Sequence, residues 1–380
     1  MTAPVTGHAH EDTPGVRRAW GWVAHLREGG TTPWCDWSVE GEARGRVLPG
    51  AQQLELLRRL NLAGDPTPGL AQRVLEASAP GRGRPDLELE GAVERLAFGP
   101  PPVDPGILPD DELIRVATGV LADDVVAAGV PEPRRPRVQW PWRARYRLVG
   151  DPAIARPARE EMTARGRPPG GRGALVLVVG TDLGRMMVDA WTTRSLDEGA
   201  PRWRDWLDSI VQRDVVPPRV DLVAAARTWA DRVGPGRVRI VLDQSALPGL
   251  VGTRRPLPST PELSADATDL VRRVAAVLGL LVVPHQRTAL LSENLRPRLA
   301  AMSGPPLVVP PEHEEWVRRR AERMRRALQR DGYAVHGDPD ALLPRDRSGV
   351  PDPSDAGVLA LAVRLLLDGD RIEGKREETA

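Results

Sequence analysis

The apolar positions change period partway along the chain. From Val16 to about Ala128 they recur at helical spacing: Leu54, Leu57 and Leu60 fall three apart, and Pro66-Thr67-Pro68 marks a turn. The strongest helix in this stretch begins after Pro109, with Asp110, Asp111 and Glu112 in its first turn, where carboxylates complement the helix dipole. Its apolar face is Leu113, Ile114, Ala117, Val120, Leu121 and Val125. No strand pattern of similar strength occurs here. The pattern therefore predicts a helical N-terminal domain over 16–130, preceded by a disordered tail over 1–15. A linker over 131–142 follows, where Pro131, Pro133, Pro136 and Pro141 leave room for neither helix nor strand.

Beyond the linker, short apolar runs alternate with amphipathic stretches. Arg145–Gly150 reads as a strand, Ala153–Arg165 as a helix, and Ala174–Val179 (ALVLVV) as a strand buried on both faces. Asp182 then stands where an N-cap belongs. Leu183, Met186, Met187, Ala190 and Trp191 fall on one helical face behind it, and Trp203, Trp206, Leu207, Ile210 and Val211 repeat that spacing. Asp221–Val233 predicts a helix, Val238–Leu242 a strand, and Ser264–Leu278 a helix ended by Gly279, with the apolar run LLVV as a further strand. Glu312, Glu314 and Glu315 open a helix that continues through Arg318–Arg330, and Ser354–Leu367 forms the last one. Alternating strands and helices imply an α/β domain over 143–345 with a parallel sheet, and a C-terminal helix and polar tail over 346–380.

Composition narrows the chemistry. A chain of 380 residues, 41% of them apolar, is long enough for two domains. No stretch approaches the ~20 uninterrupted apolar residues of a membrane helix, and the opening residues carry acids and no apolar core of a secretory signal. The expected location is the cytoplasm. A net charge of +1 with interspersed signs argues against a nucleic-acid or membrane surface binder. Cys35 is the only cysteine, so no internal disulfide and no cysteine zinc site can form. Between Trp34 and Trp37 and beside Asp36, it is expected to be a buried or half-buried structural residue. No HExxH pair points to a metal, and His285, His313 and His336 remain candidate general bases.

Of 53 basic residues only Lys375 is a lysine. A GC-rich bacterial genome explains the drift to arginine. The consequence is chemical, because arginine replaces a compact ammonium poorly. A Walker-type lysine, a Schiff-base lysine and a lysine general base are all excluded outside the polar C-terminal tail. Gly29-Gly30-Thr31-Thr32 suggests a displaced phosphate loop, but it follows a helical stretch and reads as a helix C-terminus.

The segment VPPEHEEWVRRRAERMRRALQRDGYAVHGDPDALLP (Val309–Pro344) is similar to the C-terminal end of a bacterial sulfotransferase-like family, and ALVLVVGTDLGRMMVDAWTTR (Ala174–Arg194) resembles its second strand and following helix. The resemblance spans roughly Tyr146 to Pro344. It implies a three-layer parallel sheet of P-loop sulfotransferase type and a donor, 3′-phosphoadenosine 5′-phosphosulfate, held at a loop of the form Val-Gly-x-Pro-Lys-x-Gly-Thr-Thr. Here that loop falls at Val149–Pro157. Val149, Gly150 and Pro152 match, but Ala153 stands for the lysine, Ala155 for the glycine, and Arg156 and Pro157 for the threonines, while Asp151 adds a negative charge. At the family's second phosphate grip Thr181 replaces an arginine, Val188 or Asp189 replaces a serine, and Arg185 lies one turn later.

Gly150, Arg156, Thr181 and Arg185 are thus the candidate anion or nucleotide contacts. Asp243, Gln244 and Ser245 form a further polar cluster where a parallel sheet presents its ligand edge. Three readings stay open. The chain is a non-catalytic relative acting as a binding or assembly component, with no cofactor; or an active transferase gripping a phosphorylated donor with Arg156 and Arg185 in one cleft; or a protein that binds a partner through its helical N-terminal domain.

Overall fold

The computed structural model describes residues 13–42, 47–78, 86–92, 100–130, 145–171 and 173–377. In chain order the main elements are α1 (Pro14–Arg27), α2 (Ala51–Ala63), α3 (Pro68–Glu76), α4 (Asp110–Ala128), β1 (Tyr146–Gly150), α5 (Pro152–Ala164), β2 (Leu175–Val179), α6 (Leu183–Asp197), α7 (Trp203–Arg213) and α8 (Leu222–Val233). There follow β3 (Val238–Val241), α9 (Leu247–Leu250), α10 (Ala265–Leu281), α11 (Pro284–Leu290), α12 (Arg296–Ala300), α13 (Pro311–Arg330), β4 (Ala334–His336) and α14 (Asp355–Glu377). A π-helical turn, Leu291–Leu295, joins α11 to α12. The linker prolines and Trp140 and Trp142 lie outside the described residues. The chain divides into two compact units: 1–129 with 273–282 and 354–380, and 130–272 with 283–353.

In the first unit α14 packs on α4, and α2 on α3 and α4. α1 begins one residue after Thr13, whose hydroxyl accepts from Val16 N at 3.3 Å, so the chain is already ordered inside the stretch expected as a tail. The Gly-Gly-Thr-Thr segment is the exit of α1: Gly29 takes φ 84°, and Thr32 O accepts the Trp22 indole N–H at 2.9 Å. Cys35 is exposed, not buried, because Trp34 turns inward in a 3₁₀ turn and spends the available space. Its thiol pKa is raised, by partial loss of hydration and by Asp36.

The second unit is an α/β structure around a four-stranded sheet, all parallel, in the order β1-β2-β3-β4. Tyr146 to Gly150 pair with Leu175 to Val179, and Val176 to Val179 with Val238 to Val241. Side-chain alternation splits β2 between two cores. Val176 and Val178 join Trp191, Trp203, Leu207 and Val317 on one face, from α6, α7 and α13. Leu177 and Val179 join Tyr146, Leu148 and Met162 on the other, against α5. This double burial is why β2 reads as an unbroken apolar run.

Two elements depart from the pattern reading. The run after Gly279 is not a strand: α10 continues through it to Leu281, and Leu280, Leu281 and Val283 are exposed. A helical glycine costs only about 1 kcal/mol against alanine, too little to end a helix with a strong apolar face. Conversely, Ala334–His336 is a strand that the pattern did not announce, since three partly exposed residues carry no apolar period. α14 also runs ten residues past Leu367, to Glu377.

The sheet's tightest point is the end of β1. Gly150 sits at φ 105°, and a Cβ there would lie 2.1 Å from Val179 O. Both the backbone conformation and the neighbouring strand exclude a side chain. Gly150→Ala is therefore expected to lower stability by about 2 kcal/mol or more, read as a reduced urea midpoint with an unchanged slope. A midpoint equal to the wild type would show that the strand end does not need this approach.

Candidate functional site at the C-terminal edge of the sheet

β1 and β2 are each followed by an aspartate that caps the next helix. Asp151 follows Gly150 directly, and its Oδ1 accepts from Ala153 N at 2.9 Å while its own N–H donates to Val179 O at 2.9 Å. Asp182 caps α6, accepting from Arg185 N at 2.9 Å. Short polar residues at strand-to-helix turns satisfy the first backbone N–H groups that a helix leaves unpaired. Both carboxylates are buried, at 0% and 2% exposure. In each, the second oxygen lacks a hydrogen-bond partner among the described residues, although Arg347 Nη2 lies 3.4 Å from Asp182 Oδ2.

α6 brings a third acid, Asp189, one turn beyond Arg185. Arg185 Nε donates to Asp189 Oδ2 at 2.7 Å, and its Nη1 pairs with Glu262. Arg347 reaches toward Asp182 and Glu262 from the chain following α13. Asp182, Asp189 and Glu262 thus pair with Arg185 and Arg347, and Asp189 also acts on the guanidinium of Arg296. Burial pushes the Asp151 carboxyl up to about 8, reinforced by Asp189 and Asp182 and opposed by the Ala153 N–H and Arg185. Burial likewise raises Asp189, against the pull of Arg185. Burial disfavours the charge on Arg185, yet Asp189 and Glu262 outweigh it and hold the guanidinium protonated.

A proline organises the cover of this edge. Pro157 lies inside α5 and has no N–H, so the carbonyl of Ala153, four residues earlier, loses its helical partner. Thr260 N takes that carbonyl at 2.8 Å. The segment carrying Ser259, Thr260 and Glu262 is thereby fastened over the start of α5. Asp151, Thr181, Arg185, Asp189, Thr260 and Arg347 are among the residues that line the resulting cavity of about 130 Å³. Arg185 and Arg347 also border a larger one of about 490 Å³, between α6, α13 and the chain around Pro344.

The expected contacts do not all meet. Thr181 and Arg185 line the small cavity, and Gln244 joins them from the end of β3. Asp243 and Ser245 instead bond each other, with Asp243 accepting from Ser245 N at 2.9 Å and from its hydroxyl at 2.8 Å, in an exposed turn. Their proximity is explained by capping. Gly150 and Arg156 line a third cavity of about 610 Å³. Arg156 is committed there to Asp197 Oδ1 at 2.9 Å and Glu160 Oε1 at 3.0 Å. Arg156 and Arg185 border no common cavity among those lined by described residues. His313, a candidate base, is nearly buried and its Nε2 lies 2.8 Å from Asp208 Oδ1. His285 is exposed on α11 and His336 is half-buried on β4.

Sequence reasoning missed Glu262, Thr260 and Arg347 as members of this edge. Each arrives from a loop, where no periodicity marks a position. The proline inside α5 is the one local signal, announcing an unpaired carbonyl without naming its partner. Among the described residues no group of three or more His, Cys, Asp or Glu side chains is arranged to hold a metal ion. Compared with known proteins, the chain matches no family model, no curated protein and no solved structure.

Because folding raises the Asp151 carboxyl from 3.8 to about 8, the folded chain holds a proton that the unfolded chain releases. The stability this gives is complete below about pH 4 and is lost as pH rises through about 8, with a limiting slope near 1.4 kcal/mol per unit. Urea unfolding across this range is expected to show wild-type stability falling relative to Asp151→Asn. Parallel curves would mean that Asp151 does not titrate there.

Proposed function

We propose that this chain is a non-catalytic, sulfotransferase-like protein that serves as a binding component, and that its ligand face is the C-terminal edge of the sheet. The observation that carries the reading is the buried carboxylate of Asp151. In a phosphate-binding strand–loop–helix turn, unpaired backbone N–H groups and a cation receive the anion. Here Asp151 Oδ1 already takes the Ala153 N–H, the lysine position is Ala153, and Asp182 and Asp189 add further negative charge nearby. A phosphosulfate would have to displace the cap and then sit beside the buried Asp151 carboxyl and the carboxylates of Asp182 and Asp189.

The transferase alternative needs Arg156 and Arg185 to converge on one donor. Their separate cavities and their engagement with Asp197, Glu160, Asp189 and Glu262 count against it. The C-terminal edge still offers what a binding component requires: concave space, side chains from several elements, and buried polar atoms left unpaired.

The deciding measurement is thermal unfolding with millimolar 3′-phosphoadenosine 5′-phosphate. The expected result is no change in midpoint. A ligand at about 100 times its dissociation constant adds about 2.7 kcal/mol to native stability, so a clear upward shift would overturn the reading in favour of a nucleotide-dependent transferase.

A further inference from the structure

The end of the sheet where its strands begin, opposite the candidate site, is rich in arginine. Arg145 immediately precedes β1 and Arg147 is its second residue. Arg237 immediately precedes β3 and Arg239 is its second residue. Arg232 stands in the last turn of α8, just before the 3₁₀ turn Pro235–Arg237 that leads into β3. Among the described residues Arg147, Arg232, Arg237 and Arg239 enter no ion pair; Arg239 Nη1 instead donates to Gly236 O at 2.8 Å.

The acids of the neighbouring elements are engaged elsewhere. Arg227 Nε donates to Asp331 Oδ2 at 2.8 Å, and Asp231, one turn along α8 from Arg227, acts on Tyr333. Near the end of α5, Glu161 accepts from Arg165 Nε at 2.6 Å. The net charge of +1 averages over this local excess. Complementing the α8 dipole accounts for Arg232, but Arg147 and Arg239 stand on strands, which have little dipole to offset.

An indole organises two of these arginines. The guanidinium carbons of Arg147 and Arg232 lie 5.2 and 5.3 Å from the centroid of the half-buried Trp229 ring. The ring attracts both cations and holds two like charges close together without a carboxylate. Arg239 belongs to the opposite face of the sheet from Arg147, two strands and about 10 Å away. The positive groups are thus spread along an edge, which suits a polyanion better than one small anion. None of the exposed large apolar side chains among the described residues belongs to these strands or to the turns before them, so the edge lacks the apolar anchors of a membrane face. A guanidinium plane held on an aromatic ring offers a nucleobase a stacking surface and a phosphate a hydrogen-bonding fork, whereas an acidic peptide would use the charge alone.

We propose that this end of the sheet binds the backbone of a single-stranded nucleic acid, with Arg147 and Arg232 on Trp229 as the central contact and Arg237 and Arg239 as flanking phosphate contacts. The site is separate from the C-terminal edge, and the inference does not rest on the reading given for that edge.

Fluorescence anisotropy of a labelled oligothymidylate with the full chain, across a salt series, tests it. With four guanidiniums on phosphates, log affinity is expected to fall against log salt with a slope of about −3. The double variant Arg232→Gln/Arg237→Gln changes two exposed side chains. It is expected to weaken binding about tenfold or more at low salt and to flatten the slope by about 1.4. Arg147→Lys keeps the charge and loses the plane, and is expected to weaken binding about threefold with the slope retained. Arg364→Gln on α14 makes the same charge change in the first unit and is expected to leave affinity and slope as they are. Absence of oligothymidylate binding, equal affinity for an oligoglutamate of the same length, tighter binding to phosphatidylserine vesicles, or undiminished binding by the double variant would each overturn the proposal.

Discussion

The turn from β1 into α5 is held by one side chain that serves two structures at once. Asp151 N–H extends the pairing of β1 with β2 by donating to Val179 O, and its carboxylate closes the start of α5 through Ala153 N. Gly150 makes this possible by bringing the backbone against Val179 without a side chain. The sheet edge, the orientation of α5 and the floor of the small cavity all follow from that junction. A buried carboxylate in this place is an expensive cap, since burial opposes its charge and two further acids stand near it. A serine or threonine would satisfy the same N–H without a buried charge. The carboxylate's second oxygen is the part that capping does not explain, buried without a hydrogen-bond partner among the described residues.

Several of the surrounding arginines act as counter-charges, whereas Arg296 Nε and Nη2 meet no hydrogen-bond partner among the described residues. Arg185, Arg156 and Arg219 are each engaged by at least one carboxylate. Such pairs hold long side chains in place, and those that are exposed contribute little stability. Around the C-terminal edge of the sheet they set guanidinium groups beside carboxylates, so charges of both signs meet there.

Much of the architecture was legible along the chain. The double burial of β2 wrote itself as ALVLVV, and the caps at Asp182 and Asp221 stood where helices begin, each accepting from a backbone N–H three residues on. Helical spacing placed Trp191, Trp203 and Trp206 on buried faces. These features are local, because hydrophobic period and capping chemistry act within a few residues of each other. Where a local rule was weak it misled. Gly279 did not end α10, the run behind it stayed helical and exposed, and Cys35 turned outward once Trp34 had taken the interior.

The candidate site divides along the same line. By itself the sequence determined that no lysine stands in the loop after β1, that Asp151 adds a charge there, and that Arg185 lies one turn into α6. Only the tertiary structure decided that Arg156 and Arg185 border different cavities, that Asp243 and Ser245 satisfy each other, that Thr260 and Arg347 join Asp151 around one cavity, and that Glu262 pairs with Arg185. The physical reason is the range of the interactions. A cap or an apolar stripe is fixed by neighbours in sequence, whereas the partner of Ala153 O is 107 residues away in the chain and is chosen by which loop the folded sheet brings to its edge.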